Sequence, residues 1–204
     1  SITITSAAVT LFMLAVMPFI AAIFGYFLLG ELLSRSTFIA MIIAFIGVTI
    51  MIINDSISGT IAGALLGIIS ASGFALYTVT IRWKPETPKF TTVVLAGLFC
   101  SFFSFLALDF SFEPFITMPI KNSYLSLLHG LFVATGLILY SLGARYLPAA
   151  ELALLSLMEV VGGVLWVWIP IFGINEVPTL TVMIGGAIIT FAVIYHGYST
   201  KRKN

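Results

Sequence analysis

The chain has 204 residues, 60% of them hydrophobic and only 8% charged, with a mean hydropathy of +1.17. A soluble domain carries about 25% charged residues because its surface faces water, and seventeen charges (9 + 8) cannot cover a globule of 22.1 kDa. A net charge of +1 excludes the strong basic field used to bind nucleic acid, and the single cysteine, Cys100, excludes an internal disulfide or a thiolate metal cage.

A bilayer core is crossed by about 20 apolar residues of helix. Runs of that kind are expected at 6–30, 37–53, 59–82, 91–110, 123–144, 148–170 and 178–198. No charged leader or small-residue cleavage site precedes the first run, so no signal peptide is visible, and the chain reads as a piece whose beginning is missing. Within that run, Pro18 frees a backbone carbonyl in mid-helix and is a hinge candidate. Gly30-Glu31 through Ser36 ends it, and Asn54-Asp55-Ser56 with Ser58-Gly59 ends the second. The third run carries Gly63, Gly67, Ser70 and Gly73 as a close-packing stripe, and Tyr77 deep enough to line a cavity. Charges and prolines at 82–89 and 109–122 bound the fourth run; Pro148, and Pro170 through Pro178 with Glu176, bound the sixth. The fold class is therefore an all-α integral membrane protein with about seven transmembrane helices.

Alternating seven crossings back from the tail puts Arg35, Arg82, Lys84, Lys89, Arg145, Lys201, Arg202 and Lys203 on one side (5 + 3 = 8 of nine) and Lys121 alone on the other. Positive charge collects on the cytoplasmic side, which places the C-terminus there. Trp83, Trp166, Trp168, Tyr195 and Tyr198 fall near the ends of their runs, as interfacial anchors do.

Two stretches resemble each other. Ala7-Ala8 leads through an apolar run to Leu29-Gly30-Glu31, and Ala149-Ala150 leads through another to Gly173-Ile174-Asn175-Glu176. The first and sixth helices lie five crossings apart, an odd number, so the copies run in opposite directions. The helices at 6–30 and 37–53 are expected to superpose on those at 148–170 and 178–198 through a two-fold axis in the membrane plane. Inverted repeats of this kind belong to secondary transporters.

The run from Pro18 to Glu31 followed by Gly47-Val48, the stretch from Gly63 through Ala75-Leu76-Tyr77 to Arg82, and Arg145-Tyr146-Leu147-Pro148-Ala149-Ala150 leading to Glu159 resemble the EamA-type repeats of the drug/metabolite transporter superfamily. The resemblance covers essentially the whole chain. It implies a ten-helix inverted-repeat transporter fold, with residues 1–55 as the last two helices of the first repeat and 56–204 as the complete second five-helix repeat. It implies a bacterial inner-membrane protein that moves small metabolites, often outward, with no cofactor. Candidate partners are a small-molecule substrate, the lipid bilayer, protons and a second copy of the chain as a homodimer. The second repeat departs from the first in having Val160 where the first has Pro18.

Ionisable groups within hydrocarbon are costly, so each is a functional candidate. Glu159 lies about eleven residues into its expected helix, ~16 Å along it. Ser156, Gly162, Gly163 and Trp166 share its face. The stripe suits a substrate or proton site, with helix-to-helix hydrogen bonding as the plainer alternative. Glu151 is expected as an interfacial cap. His129 and Tyr140 on the fifth helix are further candidates, each with a structural alternative: a hydrogen-bonded histidine, a packed aromatic. Two rivals are weaker. A seven-helix receptor is weak for other ligands and fails for retinal, which needs a lysine within the last helix where none precedes Lys201. An intramembrane serine protease would pair Ser72 with His129, yet their expected depths are ~20 Å and ~9 Å from the same surface. An enzyme is not expected.

Overall fold

Helices start and stop where the backbone's hydrogen-bonding options change. In the computed structural model, described for residues 7–53, 61–83, 86, 88–108, 110–113, 117–168 and 177–201, every regular element is helical. α1 (Ala7–Phe24) runs into a π-helical turn (Gly25–Leu29), followed by α2 (Arg35–Ile52), α3 (Ile61–Trp83), α4 (Lys89–Ala107), α5 (Ile120–Gly143), α6 (Ala149–Ser156), α7 (Met158–Trp168) and α8 (Leu180–Lys201). The expected turns at Asn54-Asp55-Ser56 and Ser58-Gly59, Lys84, Asp109, the link from Pro170 to Glu176, and Arg202-Lys203 lie outside the described residues.

Three helices begin behind a proline at the N-cap: Pro88, Pro119 and Pro148. The missing proline N–H costs little there, because that end of a helix has no acceptor for it. Ser34 caps α2 by accepting from the Thr37 N–H at 3.1 Å. Gly30 closes the π turn at φ 68°, a left-handed conformation that favours glycine, and the Gly30 and Glu31 N–H groups donate to Tyr26 O and Gly25 O at 3.1 Å.

Among the described residues, five helices are long and apolar enough to cross a membrane: α2, α3, α4 from Phe90, α5, and α8 to Thr200; Met13–Leu29 is a shorter apolar stretch. The sixth expected run differs from the expectation of one helix, because it breaks at Leu157 into α6 and α7. Large apolar side chains such as Phe99, Phe102 and Phe103 on α4 and Leu127, Leu131 and Phe132 on α5 point outward. Such helices are compatible with a multi-pass membrane protein.

The chain forms two compact units, one from the residues up to Trp83 together with those from Leu147 onward, the other from 84–146. In the smaller, α4 packs on α5. In the larger, α1 packs against α3 and α6, and α2 against α8. The α2–α8 pair is antiparallel, since Thr37 meets His196 at one end while Gly185 meets Met51 at the other. The α1–α6 pair is antiparallel as well: Gly25 lies against Ala149, and Met17 further back lies with Ala153 and Leu157. Between lipid-immersed helices the driving force is close packing, because lipid is as apolar as leucine. Gly47 and Gly185 supply it. A Cβ on Gly47 would lie 2.9 Å from Gly185 O, and one on Gly185 would collide with Gly47 O and Met51. Ala40, Met41, Ala44, Val48, Ile189 and Ala192 fill the same seam. The glycine stripe on α3 is tight in part only: Gly63 and Gly67 are buried, whereas Gly73 faces open space.

Candidate functional site

Around the break, the α-helical ladder is replaced by tighter bonds. Leu157 N–H donates to Leu154 O, and Val160 N–H to Leu157 O, each three residues back at 3.1 Å. Ser156 Oγ donates to Ala153 O at 2.7 Å, drawing that carbonyl away from the ladder. Leu157 itself is held in the core. α7 restarts at Met158 with Glu159 in its first turn, where a carboxylate is favoured by the helix dipole.

Glu159 opens onto a cleft of ≈ 590 Å³. Leu14 and Met17 of α1, Ser70 and Phe74 of α3, and Val182 of α8 form its walls, with Ser156 and Gly163 beside the carboxylate. The lining is mostly apolar, with hydroxyls at Ser70, Ser156 and Thr179, and Glu159 is its one ionisable residue among the described residues. The Glu159 carboxylate makes no hydrogen bond to another described residue, so its oxygens are open to a ligand in the cleft.

The remaining candidates divide. Pro18 is fully buried within α1. With no N–H of its own, it leaves the carbonyl four residues back, that of Leu14 on the cleft wall, without its helical donor. Tyr77 is half-buried on α3, with its ring 5.9 Å from that of the cleft residue Phe74. His129 and Tyr140 lie on α5 in the other unit, His129 exposed and Tyr140 half-buried. Glu159, Ser156 and the Pro18 turn are thus brought to one cleft, with Tyr77 one ring behind it.

A second polar cluster occupies the other end of the same broken helix. Glu151 is not an interfacial cap; it is buried, with 7% of its surface exposed. Its Oε1 accepts from Thr37 Oγ1 at 3.1 Å, and its Oε2 lies 3.4 Å from His196 Nε2. His196 and Thr37 are buried with it. Alongside, Glu31 Oε1 meets Arg82 Nε at 2.5 Å, Glu31 Oε2 accepts from Ala149 N–H at 2.8 Å, and Arg82 donates to Leu147 O. Sequence reasoning missed Thr37, His196 and the Glu31–Arg82 pair. The one available signal was a histidine in the last turns of an apolar helix, which for an ionisable group in hydrocarbon marks a buried partner.

Among the described residues no group of three or more His, Cys, Asp and Glu side chains could hold a metal ion. Compared with known proteins, the chain matches no family model, no curated protein and no solved structure.

Proposed function

We propose that the chain is a secondary transporter of the drug/metabolite type, which exports small metabolites across a bacterial inner membrane by alternating access with protons as the coupling ion. The observation that carries this reading is Glu159: a carboxylate without a partner among the described residues, in a mostly apolar cleft, two residues beyond the Leu157 break. A carboxylate in hydrocarbon costs ~3 kcal/mol on insertion scales. It lowers that cost by taking up a proton or by meeting a substrate's hydrogen-bond donor. Exchange between those two partners is the elementary step of proton-coupled transport. Helix breaks suit such sites, because freed backbone groups line the cavity instead of facing lipid.

The antiparallel meeting of α1 with α6 and of α2 with α8 supports the inverted-repeat reading. An in-plane two-fold axis brings equivalent helices together antiparallel, and these are the helices paired by the Ala7-Ala8 and Ala149-Ala150 correspondence. The Gly47–Gly185 crossing is then the point near which one axis passes. In this reading Pro18 and the Leu157 break are the places where each copy bends.

Proteoliposomes loaded with a cell metabolite extract test the proposal. Wild-type protein should release particular metabolites, read by mass spectrometry, at a rate that changes with pH. Glu159→Gln keeps the shape and removes the titration, and should abolish the pH dependence. Equal release from empty and protein-containing vesicles would overturn the transporter reading; full, pH-dependent release by the variant would remove Glu159 from it. The orientation has its own test, since the eight-to-one charge split expects a cysteine at Lys89 to be shielded from an impermeant reagent in intact cells and one at Ser111 to react. The reverse pattern would overturn it.

A further inference from the structure

At the end of the bundle carrying Arg82, two clasps of different chemistry sit side by side. In one, Glu31 bridges the Arg82 guanidinium and the Ala149 N–H, joining α3, the α1–α2 turn and the start of α6. Arginine never loses its charge in a protein, so the cationic side of that clasp is fixed. The other joins three helices through one histidine. His196 Nε2 on α8 lies 3.4 Å from each of three oxygens: Glu151 Oε2 on α6, Thr37 Oγ1 on α2, and Thr200 Oγ1 one turn on. Thr37 is itself bound to Ser34 Oγ at 2.7 Å and donates to Glu151 Oε1. Its hydrogen is therefore committed, and the Nε2 hydrogen is the one left for Glu151 Oε2.

We propose that Glu151 and His196 form a buried proton-binding site that fastens α8 to α6 and α2. Nε2 keeps its hydrogen on the carboxylate, so the titrating proton binds and leaves at Nδ1, and the ring alternates between neutral imidazole and imidazolium. With the proton bound, the clasp is an ion pair shielded from water. Without it, a buried carboxylate is held by neutral donors only. Among the described residues, the other charges facing the site are Arg82 on α3 and Glu31 in the α1–α2 turn, already paired with each other. α2 presents Ser36 and Thr37, which carry no charge, while its Arg35 is exposed; the next charged residue on α8 is Lys201. The π-helical turn after α1 offers Tyr26, which is exposed. Among the described residues, the one fixed cation near Glu151 is therefore the guanidinium that Glu31 already holds. The inference is independent of what the Glu159 cleft carries.

The chain has two histidines, so His129→Gln leaves His196 as its one imidazole. Ring ¹⁵N spectra of that protein in lipid nanodiscs, collected from about pH 5 to 8 around the ordinary imidazole titration, read the site directly. The expected result is conversion between the neutral and imidazolium patterns across this range, with the conversion displaced in Glu151→Gln. A ring that stays neutral throughout, or one that titrates identically in the variant, overturns the proposal. Should the variant fail to fold, pH-difference infrared spectra of the His129→Gln protein give the same reading: a carboxylate band must move in step with the ring, and an unmoved band overturns the site. Neither readout depends on transport, so a failure here and a failure of the transporter reading are distinguishable.

Discussion

Two carboxylates on one interrupted helix have opposite surroundings. Glu151, in the first turn of α6, is buried and tied to Thr37 and His196 on two other helices. Glu159, in the first turn of α7, stands at the edge of a ≈ 590 Å³ cleft with no described residue bound to it. Both are glutamates near a helix start, and neither their spacing nor their immediate neighbours separate them. What separates them is the helix opposite. α8 brings a histidine to Glu151, whereas the walls facing Glu159 are mostly apolar and hold no second ionisable group among the described residues. A satisfied carboxylate fastens helices; an unsatisfied one is available to something that comes and goes.

The largest expected effect breaks the comparison at its structural end. Glu151→Ala leaves Thr37 and His196 buried without their partner, and removing one member of a buried pair costs about 3–5 kcal/mol. Thermal unfolding in detergent should show a large loss for this variant and almost none for Glu159→Ala. Similar losses from both would mean that Glu159 is helix glue. Next is the seam that sets α8 in place. Gly185→Ala drives a methyl into Gly47 O and Met51, where overpacking costs about 1–3 kcal/mol, while Gly186→Ala points into open space and should be close to neutral. A neutral Gly185→Ala would show that α2 and α8 are further apart than described here. A smaller effect is expected at the arginine clasp: Arg82→Gln keeps part of the hydrogen bonding to Glu31 and Leu147, and the pair is about one-fifth exposed, so a loss of ~1 kcal/mol is expected in the same assay.

Much of the helical layout was legible because its causes are local. Prolines before α4, α5 and α6 and the turn from Gly30-Glu31 through Ser36 announce the breaks in sequence. The break at Leu157 did not. Leucine is a good helix former, and what holds it there is its burial in the core together with Ser156 bonding back to Ala153. Glu151 was misread for a related reason. One turn from a helix start it resembles an interfacial cap, and its burial depends on His196, 45 residues later, placed there by the Gly47–Gly185 crossing. Glu159 and Ser156 were legible as a polar face within an apolar run; that this face would border an open cleft depended on where α1, α3 and α8 pack.

Carbodiimide modification tests the central claim most directly, because dicyclohexylcarbodiimide adds to protonated carboxyl groups within apolar surroundings. Protein in liposomes should be modified at Glu159 in preference to Glu151, as mapped by mass spectrometry of its peptides. Metabolites that the vesicles release should protect Glu159, and the modification should stop their release. Modification of Glu151 with Glu159 spared, or full release from protein modified at Glu159, would contradict the account.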